Sequence, residues 1–132
     1  MLKIREIDHV VLRVRDIDAM RRFYCDVLGA EHVAWRPHLR LSHLRAGASM
    51  IDLVISDEMR QGRNMDHLCL RIEPFDQAAI VAHLERHGVA VGDIRRRFGA
   101  EGNGISIYLT DPEGNTVELK GPSDGQPPPP PR

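Results

Sequence analysis

Four residues of the kinds that bind metals or move protons occupy matched places in this 132-residue chain. His9 and His67 stand in Ile7-Asp8-His9-Val10-Val11-Leu12-Arg13-Val14 and Met65-Asp66-His67-Leu68-Cys69-Leu70-Arg71-Ile72, runs 58 positions apart that share Asp, His, Leu and Arg. Asp52 in Met50-Ile51-Asp52-Leu53 aligns with Glu118 in Thr116-Val117-Glu118-Leu119, each an acid between apolar neighbours. Two imidazoles and two carboxylates suit a hard or borderline divalent ion, with Ni, Co, Zn, Mn and Fe all chemically admissible. A lone strand histidine is more often a hydrogen-bonded residue than a ligand, and a lone carboxylate more often faces water. The recurrence of all four on one side of their strands makes metal binding the better reading.

The elements that must position them follow from periodicity. Residues 4–14 alternate as a strand, with Val10, Leu12 and Val14 on one face and His9, Val11 and Arg13 on the other. Asp16 reads as a helix N-cap, and Ala19, Met20, Phe23, Tyr24, Val27 and Leu28 recur at helical spacing until Gly29. Strands are expected over 31–36, 38–46 and 49–56, broken at Pro37 and at Ala46-Gly47-Ala48. The same order then returns: a strand from Met65, an amphipathic helix from Phe75 that stops at Gly88, and strands over 91–98, 105–110 and 115–120. The last two flank Asp111-Pro112-Glu113-Gly114-Asn115, where Pro presets a turn and Gly supplies positive φ. The fold class is therefore α+β, with two tandem βαβββ modules at 4–57 and 65–120 forming one domain over 1–121. The polar stretch 57–64 reads as a linker, and 122–132 as an extended, mobile, proline-rich tail.

Composition narrows the function classes. An apolar content of 42% and a charged content of 28% are those of an ordinary globular protein. A net charge of −1 argues against nucleic acid or an anionic membrane as partner, and Arg95-Arg96-Arg97 is too short a run to change that. The two cysteines, Cys25 and Cys69, form no framework, and no apolar stretch has signal or spanning length, so the expected compartment is the cytoplasm.

These pieces resemble the vicinal oxygen chelate superfamily, the group of glyoxalase I, bleomycin-resistance and extradiol-dioxygenase proteins. The resemblance runs over about 4–121, through the two Asp-His runs, Phe23-Tyr24, Val27-Leu28-Gly29 and, most specifically, Asp111 to Leu119. It implies paired βαβββ modules in a cupped mixed sheet around a divalent metal, a small-molecule substrate and commonly a homodimer. His9, His67 and Glu118 match the family's three recurrent ligands. Asp52 falls where glyoxalase I enzymes carry a fourth, glutamate ligand, and is one methylene shorter. Arg13 matches a position that holds a glutathione carboxylate, whereas Ser56 replaces the asparagine expected with it. Arg71, the repeat-mate of Arg13, is better explained by an ion pair.

The chemistry implied is proton abstraction beside a carbonyl in a substrate that chelates through adjacent oxygens, giving an enediolate. Glu118 is the first candidate for the base and Asp52 the second. The reaction type is that of a glyoxalase-like lyase or isomerase. Three alternatives share the fold. An Fe(II) extradiol-type dioxygenase needs a further acid-base residue, for which His38 and His43 are the candidates, both better read as exposed histidines. A thiol transferase needs clustered cations, and a drug-binding protein needs no catalysis. Tyr108 and Cys69 fall on the Glu118 side by strand parity, Tyr108 as a substrate-binding candidate, although packing explains both more simply. Gly99-Ala-Glu-Gly-Asn-Gly104 lacks the Lys and following helix of a phosphate loop and reads as a mobile hairpin connection or flap.

Overall fold

The computed structural model describes residues 3, 4, 6–57 and 62–126, and its contacts divide into two compact units, Met1–Asn64 and Met65–Arg132. Each carries one four-stranded mixed sheet and one helical segment, in the order βαβββ.

In the first unit, β1 (His9–Val14) is followed by α1 (Ile17–Arg21), which runs on as π-helical turns over Arg22–Val27. Then come β2 (Glu31–Arg36), β3 (Leu41–Ala46) and β4 (Ser49–Ile55), in the sheet order β1-β4-β3-β2 with only β1 and β4 parallel. The Asp16 side chain caps α1 by accepting from the Ala19 amide at 3.0 Å. The core comprises Leu12, Val14, Leu44, Ile51 and Leu53 from the sheet and Met20, Phe23 and Tyr24 from the helical segment. The opposite face carries His9, Val11 and Arg13, as their alternation predicts.

Two expected strands of this unit are shorter than the periodicity suggested, as is the strand expected from Met65, which begins at Leu68 and leaves His67 just before it. β1 starts at His9, because its one partner, β4, begins at Ser49 and the pairing runs His9 to Met50 onward. The expected strand over 38–46 starts at Leu41, because Pro37–Leu39 forms a 3-10 turn and Arg40 takes a left-handed φ of 52°.

The second unit comprises β5 (Leu68–Arg71), α2 (Gln77–Arg86), β6 (Val91–Gly99), β7 (Gly102–Thr110) and β8 (Thr116–Lys120), in the sheet order β5-β8-β7-β6. Asp76 caps α2 through the Ala79 amide at 3.1 Å, and Leu84, Ile107, Leu109, Val117 and Leu119 are buried. The β7–β8 turn is held by buried Asp111, whose Oδ1 accepts from the amides of Glu113 (2.8 Å) and Asn115 (3.0 Å) and whose Oδ2 accepts from Asn115 Nδ2 (2.8 Å). With Gly114 at φ 87°, this turn fixes the register that sets Tyr108 opposite Glu118.

Gly99–Gly104 forms the tip of the β6–β7 hairpin, with Gly99 paired to Gly102, so the expected strand over 105–110 already begins at Gly102. The first part of the expected mobile tail is fastened. The Asp124 amide donates to the Asn103 carbonyl at 2.7 Å, and Arg96 pairs with the Asp124 carboxylate. Gly104 permits this path, since a Cβ there would meet the Pro122 carbonyl oxygen at 2.1 Å. The prolines at 127–131 and linker residues 58–61 lie outside the described residues. No helix among the described residues is long and apolar enough to cross a membrane.

Candidate metal centre

The aspartate before each repeated histidine has a defined task. Asp8 Oδ1 lies 2.7 Å from His9 Nδ1, and Asp66 Oδ2 lies 2.6 Å from His67 Nδ1. An ionised carboxylate can only accept, so Nδ1 carries the hydrogen in both rings and a neutral ring keeps its lone pair on Nε2. Metal-bound histidines are oriented by this kind of contact. The Asp8 hydrogen bond, followed by the charges of Asp52 and Asp8, raises the His9 pKa above its ordinary value against a desolvation that lowers it. Asp8 and Asp66 were visible in the repeat as identical residues, but nothing in their spacing showed that they hold the rings.

In the second unit, His67 and Glu118 come together. His67 Nε2 is 3.3 Å from Glu118 Oε2, the Glu118 side chain is 5% exposed, and its Oε1 is buried without a hydrogen-bond partner. A neutral His67 held by Asp66 therefore turns a lone pair toward a carboxylate oxygen. That contact is repulsive unless the ring is protonated or a cation is shared, and a buried carboxylate oxygen without a donor carries a desolvation cost of its own. Both features fit a divalent cation, to which these two atoms are suitable donors.

Register sets the neighbours of Glu118, with Cys69 on β5 and Tyr108 on β7. The Cys69 thiol is pushed up to about 11 by desolvation and by the Glu118 charge and hydrogen bond. The Tyr108 ring centroid lies 5.8 Å from that of His67, and the Arg97 guanidinium carbon sits 3.8 Å from the Tyr108 centroid. Arg97 also donates to Ser106 Oγ at 2.7 Å. It belongs to a run that reads as a solvated strand; the register pairs it with Gly104, and its side chain reaches along β7 to lie over the ring. Arg71 pairs with Glu101 of the hairpin tip at 2.6 Å, as expected of it.

The first unit differs. Asp52 lies between Val11 on β1 and His43 on β3, and its Oδ1 is 2.8 Å from His43 Nδ1. The His43 side chain is only 23% exposed, which corrects its reading as an ordinary exposed histidine, whereas His38 is exposed in the 3-10 turn. His9 shares the face of Asp52 and feels its charge, but Asp52 is hydrogen-bonded to His43. Arg13 is exposed on that same face, and the Ser56 amide donates to the Val14 carbonyl at 3.0 Å. Among the described residues, no group of three or more His, Cys, Asp or Glu that could hold an ion is assembled. The four residues of the repeat thus form one direct His–carboxylate contact, in the second unit.

Comparison with known proteins agrees with this architecture. Residues 6–119 match the family model described as Glyoxalase/Bleomycin resistance protein/Dioxygenase superfamily. The chain belongs to that superfamily. The superfamily includes many enzymes, and its members commonly use divalent metals. The chain is 32% identical to Virulence protein STM3117 of Salmonella typhimurium over 88% of its own length and 83% of that protein. The crystal structure of that protein matches with a TM-score of 0.77, covering 92% of this chain and 99% of the other at 30% identity. A structure from the mobile metagenome of V. Pseudocholerae matches at 0.80, with 28% identity over 94% and 99% of the two chains. Lactoylglutathione lyase from Agrobacterium tumefaciens matches at 0.66, with 25% identity over 88% and 92%.

Proposed function

We propose that this chain is a divalent-metal-dependent, glyoxalase-like lyase or isomerase acting on a small substrate that chelates through adjacent oxygens. The observation that carries the reading is the buried Glu118 carboxylate, one oxygen without a partner and the other facing the Nε2 of a His67 already held by Asp66. His67 and Glu118 are the assigned donors. His9, with the same Asp–His contact, is the equivalent donor candidate of the first unit. Asp52 is left out of the donor set because its carboxylate is bound to His43. When bound, a divalent ion supplies Lewis-acid stabilisation of the charge that develops on the substrate oxygens.

The chain's own residues do the rest. Asp8 and Asp66 hold the imidazoles in the tautomer that leaves Nε2 free, which lowers the reorganisation needed for binding. Tyr108, beneath Arg97 and beside His67, supplies a rigid wall at the reacting end. Arg13, exposed on the His9 face, is the candidate for an anionic group on the substrate. The likeness to lactoylglutathione lyase supports a hemithioacetal as the substrate type.

The reading is tested with protein loaded in turn with Ni, Co, Zn and Mn and offered hemithioacetals of methylglyoxal with glutathione and with 2-mercaptoethanol. Conversion to the thioester, lost in Glu118→Gln, is the expected result. Absence of conversion with every metal contradicts the lyase reading.

A further inference from the structure

Two further histidines stand outside the candidate metal centre, at the C-terminal end of α2. His83 and His87 are four residues apart in His83-Leu84-Glu85-Arg86-His87, a spacing that puts two side chains on one helix face. The backbone keeps this geometry to the end, since the His87 amide donates to the His83 carbonyl at 3.2 Å. A glycine turn then fixes the last turn in place. Gly88, at φ 71°, donates from its amide to the Glu85 carbonyl at 3.0 Å, and the Val89 amide donates to the Leu84 carbonyl at 2.9 Å, the two bonds of a Schellman motif. The two imidazoles meet with ring centroids 4.7 Å apart.

Packing does not account for the pair. Leu84 takes the buried face of this turn, while His83 is half-buried and His87 exposed. Paired histidines at this spacing on one helix face bind zinc in metalloproteases, where a glutamate beside the first histidine serves as base. Here Leu84 holds that place, so the pair offers donors for an ion and no base to go with it. The last carbonyls of a helix carry negative partial charge that favours a cation, an attraction that Arg86 in the same turn reduces.

We propose that His83 and His87 chelate a first-row divalent ion at the end of α2, an element that supplies no donor to the candidate metal centre. Among the described residues no third His, Cys, Asp or Glu completes a set with them, so water fills the rest of the shell. Two imidazoles without a carboxylate select Cu(II), Ni(II), Zn(II) and Co(II) over Mn(II), with Cu(II) bound most tightly. With only two protein donors the ion exchanges readily and is lost on desalting, so the site is read at equilibrium. None of this depends on the lyase reading.

The test uses the full chain with Cu(II) alone as the probe, in a His67→Ala background so that the candidate metal centre lacks a donor. Proton–nitrogen NMR should show substoichiometric Cu(II) broadening the amide signals of Leu84 to Gly88 and both imidazoles first. Mn(II) at the same concentration should leave them sharp. Loss of a group that only orients a ligand already costs about 10-fold in metal affinity, so His83→Gln and His87→Gln should each weaken Cu(II) binding by more than about 10-fold in calorimetric titration. Far-ultraviolet circular dichroism should be unchanged in both. Cu(II) should also raise the Tm of the His67→Ala protein but not that of the His67→Ala, His87→Gln double variant, because the chelate exists only while the helix is formed. Broadening that begins at another histidine, equal broadening by Mn(II), or an unchanged Cu(II) affinity in either variant overturns the proposal. Should a variant lose helix content, the broadening pattern decides the matter by itself.

Discussion

The two units are copies of one βαβββ module, and each presents a histidine and a carboxylate on the sheet face away from its core. In the second unit the carboxylate meets the repeated histidine of its own copy, with His67 Nε2 3.3 Å from Glu118. In the first unit it is held by a histidine from another strand, with His43 2.8 Å from Asp52, while His9 stands with Asp8. The difference arises from neighbours and reach. Across the ladder Glu118 faces Cys69 and Tyr108, neither of which binds the oxygen that lacks a partner; Asp52 faces Val11 and His43, and the latter binds it. Glutamate also extends one methylene further from its strand than aspartate. An internal repeat therefore carries over a backbone position faithfully, while the cross-strand partner decides the chemistry done there.

The largest expected effects lie beneath these faces and should be similar in the two copies. Leu53 and Leu119 occupy equivalent positions and are both buried. Leu53→Ala and Leu119→Ala should each cost about 2–5 kcal/mol, measured by urea denaturation. A cost below 1 kcal/mol at one of them would break the equivalence of the cores.

The turns should separate the copies. Asp111→Ala removes the acceptor of three hydrogen bonds in the β7–β8 turn and should cost about 2–3 kcal/mol. It should also weaken metal binding by loosening the register of Glu118. Substitution of Ala48, beside Gly47 in the β3–β4 turn, by Ser should change stability by less than 0.5 kcal/mol.

The Asp–His contacts sharpen the comparison further. Asp66→Asn should weaken metal affinity by about 10- to 100-fold, read by competition with a chromophoric chelator. Asp8→Asn tests whether His9 depends on its aspartate in the same way, and an effect of similar size would make the two histidines equivalent ligands.

The smallest effect lies in the segment that follows β8. The Arg96 contact, helped by the Gln126 amide, holds the Asp124 carboxyl down at about 2 from an ordinary value of 3.8. A depressed folded-state pKa gives stability that is present above about 3.8 and is lost as the pH falls toward 2. The Tm difference between wild type and Asp124→Asn should therefore be small at pH 6 and vanish near pH 2. A difference that persists at pH 2 would show that the carboxylate charge is not what fastens the segment.

Much of this architecture was legible in the residues themselves. The repeat, the Asp16 cap, the Asp111–Asn115 turn and the alternation of His9, Val11 and Arg13 against Leu12 and Val14 all express local periodicity or local hydrogen bonding. What could not be read was set by register. His43 meets Asp52 only because β3 and β4 pair as they do, and Arg97, paired with Gly104, covers Tyr108 only through the reach of its side chain along β7. The fastening of Asp124 to Arg96 depends on Gly104 leaving room for Pro122, a steric fact that the tail's composition conceals.

The central claim is that the two carboxylates of the repeat have parted roles, Glu118 binding metal and Asp52 binding His43. Metal content of wild type, Glu118→Gln, His67→Ala and Asp52→Ala, purified side by side and reloaded with the same ion, tests it most directly. Less than one tenth of the wild-type metal is expected in Glu118→Gln and His67→Ala, and close to the full complement in Asp52→Ala. Equal retention in all four, or loss in Asp52→Ala as complete as in Glu118→Gln, would contradict it.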